Sequence, residues 1–382
     1  MTEAPNPTEP TGYASYWPEP AKGIHGQFLA GVRVLDLSRH LPGPLCTLLL
    51  RDLGASVLKI EPPPGDELRQ LGPPGIHGDS IYYEAINAGK ASLTVDLKTS
   101  AGKELILSLV DEADILIESF RPTVMAKLGL SADVLRKRNP RLIFCSVSGF
   151  GADGPRAAQA GHDINYLALA GALSFNGMKG RPHFFEPPIA DVSASMMAAI
   201  TILAALNRQS HSNQGCVIDL ALADVVMPLQ AFRIAELVHG NVPTRETGPL
   251  NGGWACYRLY ETADGKWISL GAVEPKFWAA FCDTTQRPEW KDRHTDPLPQ
   301  TELISELDAY FRQATLTEHM QRFEKVDCCI APVVDLSEAV NDQHALARQL
   351  VRQGPDGLLQ ALFPARIDGT APEVRPPLYR AD

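Results

Sequence analysis

Three short stretches of the chain carry side chains able to move protons. Gly161-His162-Asp163-Ile164-Asn165-Tyr166 sets four polar groups within six residues, just ahead of the apolar run over 167–173. Histidine titrates near neutral pH and serves as acid or base; before a helix it is equally a capping or core residue, and Asp163 has the type of a plain N-cap. Pro187-Pro188 stops the chain ahead of Asp191-Val192-Ser193-Ala194-Ser195, which opens an apolar helix predicted to reach about Arg208. Asp191 reads as an N-cap whose carboxylate would be surrounded by free N–H groups and the positive end of the helix dipole. Such a place can hold an anion or stabilise charge developing on a substrate oxygen. Glu274, in Gly271-Ala272-Val273-Glu274-Pro275, ends a predicted strand and begins a predicted helix. Taken alone it is a helix-start acid.

The elements that must position these groups follow a β/α rhythm. Residues 32–37 predict a strand, Pro42-Gly43-Pro44 a break, 45–53 a helix ended by Gly54, and 56–60 a second strand. Their crossover makes the two strands parallel. A helix capped by Ser100 and running through Glu112, a strand over 114–118, a helix over 131–137 and a strand over 142–147 continue the pattern. This alternation predicts an α/β fold, a Rossmann-like parallel sheet with helices on both faces. After Asp224 come a helix to about His239, a meander over 255–271, and amphipathic helices over 275–283, 301–313 and 316–325. They predict a smaller α+β domain. The expected division is a flexible tail over 1–28, a large α/β domain over 29–224, a small domain over 225–334, and a Pro-punctuated segment over 335–382 that returns to the large domain.

Composition narrows the chemistry. A formal charge of −10 argues against a nucleic-acid partner. Residues 31–141 hold 14 Lys/Arg against 14 Asp/Glu, so an anionic cofactor is better tolerated there than elsewhere. No run of 18 apolar residues predicts a membrane span, and the N-terminus lacks a charged stretch followed by an apolar one, so a cytoplasmic protein is expected. Seven scattered cysteines form no disulfide framework. The adjacent Cys328 and Cys329 read as core thiols, with no metal-ligand spacing around them. Gly149-Phe150-Gly151-Ala152-Asp153-Gly154 spells G-x-G-x-x-G after a strand, yet Pro155-Arg156 follow where the dinucleotide fingerprint needs a helix to open. The first βαβ unit ends in Glu61, where a ribose-binding carboxylate would sit, but its turn has Pro42-Gly43-Pro44 in place of the glycines. Each half of that signal lacks the other.

In combination the motifs say more. Ala160-Gly161-His162-Asp163-Ile164-Asn165-Tyr166-Leu167-Ala168-Leu169-Ala170-Gly171 resembles the signature stretch of the α-methylacyl-CoA racemases, a branch of the class III CoA-transferase family. The likeness continues at Gly43-Pro44, Leu53-Gly54-Ala55, Ser92-Leu93-Thr94-Val95-Asp96-Leu97-Lys98 and Glu118-Ser119-Phe120-Arg121-Pro122. It extends to Ser148-Gly149-Phe150-Gly151, Leu250-Asn251-Gly252-Gly253 and Glu274-Pro275-Lys276-Phe277. The resemblance implies that His162 and Asp191 are the two acid/base groups and that Glu274 orients the histidine. It implies coenzyme A as the carrier part of an acyl-CoA substrate, with Arg121 on a CoA phosphate and Arg39, Lys59, Asp163 and Tyr166 as further CoA contacts. It also implies an interlocked homodimer and racemisation of 2-methylacyl-CoA thioesters by 1,1-proton transfer through an enolate, with no metal or redox cofactor required. The transferase branch offers an alternative, in which Asp191 forms an acyl-enzyme and CoA moves between carboxylic acids. Three stretches depart from the racemase pattern. Val192-Ser193-Ala194-Ser195 stands where an aromatic residue and glycines are usual, Lys59-Ile60-Glu61-Pro62-Pro63 is more similar to transferases, and Lys90-Ala91-Ser92 replaces Lys-Arg-Ser.

Overall fold

Short aliphatic runs buried on both faces build the central sheet of the computed structural model, which describes residues 13–178, 180–240 and 244–381. In chain order the strands are β1 (Arg33–Leu37), β2 (Ser56–Glu61), β3 (Ala91–Thr94), β4 (Ile115–Glu118), β5 (Ile143–Ser148) and β6 (Val217–Ala221), joined at one edge by Tyr379–Arg380. Across the sheet the order is Tyr379–Arg380, β3, β2, β1, β4, β5, β6, with every pair parallel. In the register Leu35 faces Leu58 on one side and Leu116 on the other, and none of the three is exposed. That is the burial a parallel sheet covered on both faces requires.

The helices that bear on the site along this part of the chain are α1 (Pro42–Asp52), α2 (Ser100–Glu112), α3 (Ala132–Arg138), α4 (Asp163–Leu169), α5 (Ile189–Ser212) and α6 (Leu222–Leu229). Pro42-Gly43-Pro44 opens α1 instead of breaking the chain, because a proline in the first turn has no N–H to lose. Leu35 and Leu37 of β1 point into a core shared with Ile106, Leu109 and Val110 of α2 and Leu135 of α3. Asp36, between them, faces the opposite side and meets Thr47 of α1. Along α5 the small residues Ala190, Ala194, Ala198 and Ala205 are buried, and this helix packs on α1 and β5. By length and composition alone α5 could cross a membrane, although one of its faces is buried in protein.

A buried charge network underlies the loop after β1. The Asp36 carboxylate accepts from Ser38 N at 3.0 Å, from the Ser38 hydroxyl, from Thr47 Oγ1 at 2.5 Å and from Lys90 Nζ at 3.3 Å. Lys90 also donates to the Pro44 carbonyl at 2.9 Å, and Lys59 to the Ser38 carbonyl at 2.8 Å. Burial works against the charge on Asp36, but Lys90, Lys59 and the two hydroxyls outweigh it and hold the carboxyl below its usual range. Burial pushes Lys90 down to about 8, with Asp36 acting to keep its charge.

Leu167–Phe185 and Gln230–Asn341 form a second unit. Its antiparallel sheet runs β9 (Ile330–Pro332), β8 (Trp267–Gly271), β7 (Tyr257–Glu261). Helices α7 (Pro275–Thr284), α8 (Thr301–Phe311) and α9 (Leu316–Phe323) close an aromatic core of Tyr260, Trp278, Phe281, Trp290, Phe311 and Phe323. Residues 167–185, expected in the large domain, belong to this unit. Residues from Asp342 onward belong to the first unit, where Tyr379–Arg380 pairs with β3.

Two further expectations need correcting. Of the tail expected over 1–28, residues 1–12 lie outside the described residues, whereas 13–28 are docked. Tyr13, Tyr16 and Trp17 pack on the sheet core, Trp17 Nε1 donates to Glu112 at 3.2 Å, and Ser56 Oγ donates to the Pro18 carbonyl at 2.8 Å. Aromatic side chains bury enough area to order such a segment. Cys328 is a core thiol, but Cys329 is exposed. The charge network supplies a stability test. Asp36→Ala leaves the Lys90 ammonium fully buried without its carboxylate and should cost about 3–5 kcal/mol in urea denaturation at neutral pH.

Candidate active site

β1 and β4 are neighbours, yet the chain leaves β1 toward β2 and leaves β4 toward β5, on opposite sides. The loops beyond their C-terminal ends therefore part, as they do at the switch point of any doubly wound sheet. A cavity of about 360 Å³ opens there. Arg39 and His40 reach it from the end of β1, Ser119, Phe120 and Arg121 from β4, Ser148 and Gly149 from β5. Its remaining wall includes His162, Tyr166 and Asp191. Arg39 N donates to Ser119 Oγ at 2.9 Å, so one hydrogen bond ties the two diverging loops.

His162 directly precedes α4. Its N–H donates to Asn165 Oδ1 at 3.0 Å, and its carbonyl accepts from the N–H groups of Asn165 at 2.8 Å and Tyr166 at 3.3 Å. The backbone is thus committed to opening the helix, while the exposed side chain faces the cavity. Tyr166 is buried, and its hydroxyl donates to the Gly161 carbonyl at 2.6 Å.

Asp191 is the third residue of α5, not its N-cap. The capping position falls on Pro188, which has no side-chain acceptor. Asp163 Oδ1 takes that role from another element, accepting from Ala190 N at 2.6 Å and Asp191 N at 3.2 Å. Two of the N–H groups expected to be open to an anion at this helix start are therefore already satisfied. Burial, then the nearby charge of Asp163, lifts the Asp191 carboxyl to about 7. The Asp163 carboxyl is itself raised by burial, against the pull of the two N–H groups it accepts.

The implied CoA contacts divide. Arg39 and Arg121 line the cavity, Arg121 without an ion-pair partner among the described residues. Lys59 cannot serve: it is fully buried, 3.0 Å from Asp66, and faces the covered side of the sheet. Asp163 is occupied as the cap of α5, and Tyr166 reaches the cavity with its hydroxyl already engaged. Glu274 lies in the second unit, exposed at the N-cap of α7 with no side-chain capping bond. Sequence reading passes over His40, Ser119 and Gln159, which also line the cavity. For the first two the available signal is position, immediately beyond a strand's C-terminal end.

His40, Asp66 and Glu67 bring ligand atoms within 4.8 Å of one another. Lys59 and Arg39 already neutralise those carboxylates at 3.0 and 3.2 Å, which suits ion pairing better than a metal. The G-x-G-x-x-G stretch is followed by turns and no helix, and Glu61 is bound to Arg69 at 2.7 Å, so no nucleotide fingerprint forms.

Known proteins bear on this site. The chain is 33% identical to the α-methylacyl-CoA racemase of Homo sapiens over 327 residues, which cover 83% of this chain and 80% of that one. It is 32% identical to the succinyl-CoA–D-citramalate CoA-transferase of Chloroflexus aurantiacus over 335 residues, covering 85% and 82%. A crystal structure of a CAIB/BAIF family protein from Brucella suis superposes with a TM-score of 0.80 at 28% identity, over 91% of this chain and 95% of that one. The sequence pattern of CoA-transferase family III matches residues 29–381, and the chain belongs to that family.

Proposed function

We propose that this family member is a racemase or epimerase of 2-methylacyl-CoA thioesters. The observation that carries the reading is the pairing in one cavity of His162 with an aspartate whose carboxyl titrates at about 7. The α-proton of a thioester is weakly acidic, so the reaction needs a positioned base on one face of the carbon and a positioned acid on the other. With its carboxyl lifted to about 7, Asp191 is protonated in a population of the enzyme near neutral pH and can act as the acid. His162 takes the α-proton, the C–H electron pair moves toward the thioester oxygen, and the enolate forms. Asp191 then gives its proton to the opposite face of the α-carbon, and the thioester is restored inverted. The enzyme is left with an imidazolium and a carboxylate, the pair that runs the reverse direction. This proton chemistry calls for no metal or redox cofactor. A homodimer is part of the same proposal, supported by the exposed apolar side chains of Met196 and Ile200 on α5.

A second reading has support of its own. Similarity to the citramalate transferase is nearly equal to that with the racemase, and Asp191 would be its nucleophile. The carboxylate would attack the acyl carbonyl and expel CoA as its thiolate, giving a mixed anhydride; the thiolate would then attack the aspartyl carbonyl, releasing the donor acid as its carboxylate and leaving an aspartyl-CoA thioester. The acceptor carboxylate would expel CoA thiolate from that thioester, and the thiolate would attack the acceptor's carbonyl, giving the new acyl-CoA and free Asp191. Hydroxylamine added with acyl-CoA separates the two. The racemase reading expects unmodified Asp191, while a hydroxamate on Asp191 would establish the transferase.

Deuterium wash-in at the α-carbon of a 2-methylacyl-CoA, with no acceptor acid, tests the racemase directly. Wild-type protein should exchange both enantiomers. His162→Ala should lose racemisation by about 10²–10⁴-fold while still exchanging one hand through Asp191. That residual exchange needs the Asp191 carboxylate, so it should rise with pH, level off above about 7, and fall as protonation removes the base below it. Wild-type protein that transfers CoA but exchanges no α-proton sinks the reading.

Arg121→Ala should raise KM for acyl-CoA much more than for the matching pantetheine thioester, which lacks the phosphates. Equal effects on both would remove Arg121 from phosphate binding.

A further inference from the structure

We infer that Tyr166 is a positioning residue for His162, fixing the peptide that carries the imidazole, and that the glycines at 149 and 161 are there to admit its ring. The hydroxyl donates to the Gly161 carbonyl at 2.6 Å, and the side chain is 5% exposed. Phe150 meets the ring edge-on, 5.2 Å between centroids at 77°. A Cβ at position 149 would lie 2.6 Å from the Tyr166 hydroxyl, and one at position 161 would lie 2.8 Å from a ring carbon. Neither position accepts any side chain while the ring stays where it is. The first glycine of the G-x-G-x-x-G stretch, which opens no helix, thereby gains a physical reason.

The Gly161 carbonyl and the His162 nitrogen belong to one planar peptide. A bond that holds the carbonyl oxygen therefore sets the plane from which the His162 Cα leaves. Asn165 Oδ1 grips the N–H of the same peptide at 3.0 Å, and the first turn of α4 grips the His162 carbonyl. Tyr166, itself a residue of α4, supplies the remaining restraint, on the Gly161 carbonyl. Burial, then the charges of Asp191 and Asp163, push its hydroxyl up to about 12, so the donor keeps its proton throughout the neutral range. Tyr166 acts on the reaction through His162, with its hydroxyl proton committed to the backbone.

The test is Tyr166→Phe, which keeps the ring between the two glycines and removes only the donor. The kinetic arm rests on the racemase reading. Exchange from the enantiomer served by His162 should fall about tenfold with KM unchanged, since small misplacements of a reacting group are costly. Exchange served by Asp191 should change less than about twofold. Equal losses on both hands, a raised KM, or no loss would overturn the assignment. A second arm does not depend on the reaction: in protein with ¹⁵N-labelled histidine, the His162 ring signals should shift or broaden in Tyr166→Phe. Signals from the histidines remote from the cavity should stay in place. A His162 spectrum unchanged by the substitution refutes the role even if racemisation is never observed. Wild-type protein without α-proton exchange refutes the racemase reading and leaves this arm to decide Tyr166. Gly161→Ala, which drives a Cβ against the ring, should reproduce both effects.

Discussion

The carboxylate of Asp163 accepts N–H bonds from Ala190 at 2.6 Å and Asp191 at 3.2 Å, tying the segment that carries His162 to the start of the helix that carries Asp191. Charge-assisted hydrogen bonds contribute about 1.5–3 kcal/mol each, and α5 needs them because Pro188 offers no cap of its own. The same charge has a second consequence. Lying beside Asp191, it disfavours a second negative charge there and helps hold that carboxyl near neutrality. One residue thus joins the two proposed proton carriers in space and tunes one of them. Asparagine could provide the acceptor but not the charge, so geometry and electrostatics make different demands at position 163.

Beneath the cavity, rigidity comes from charges that never reach solvent. Asp36 and the two buried lysines hold the loop between β1 and α1 at Ser38, where it begins, and at Pro44, in the first turn of the helix that follows it. Arg39 and His40, between those two points, are then free to face the cavity without having to organise the backbone. A buried ion network is an expensive way to stabilise a fold. Here it fixes the start of the loop that carries Arg39 and His40 into the cavity, which is a matter of specificity more than of net stability.

The sequence shows some of this arrangement plainly and hides the rest for identifiable reasons. β1, β2, β4 and β5 are legible because each is an aliphatic run with turn residues nearby. β6 is not, since as Val217–Ala221 it alternates exposed and buried positions and includes Asp219. Tyr379–Arg380 is too short to announce itself and is a strand only by pairing with β3. His162 and Asp191 stand out by residue type, and the switch point between β1 and β4 brings them to one cavity. The Asp163 cap spans 27 residues of sequence, and no local rule links a carboxylate to a helix start at that distance. Lys59 looks available for phosphate because lysine is normally exposed. Strand alternation turns it away from Leu58 and Ile60, but in a sheet covered on both faces that side is buried too.

The protonation of Asp191 is decided by a contest whose sides can be weighed. A helix start favours a carboxylate by about 0.3–1 kcal/mol, which is less than one pKa unit, at about 1.4 kcal/mol per unit. Burial and the neighbouring Asp163 act in the other direction and carry the group from its usual value near 3.8 to about 7. The dipole is therefore the weaker influence, and the N–H groups that would reinforce it are largely turned to Asp163. A carboxylate fully stabilised by the helix would be a good anion and a poor proton donor. By giving the capping bonds to Asp163, the fold leaves Asp191 under-stabilised as an anion, and this lets it exist in both protonation states near neutral pH. An acid/base group that must give a proton in one direction of reaction and take it in the other needs that balance.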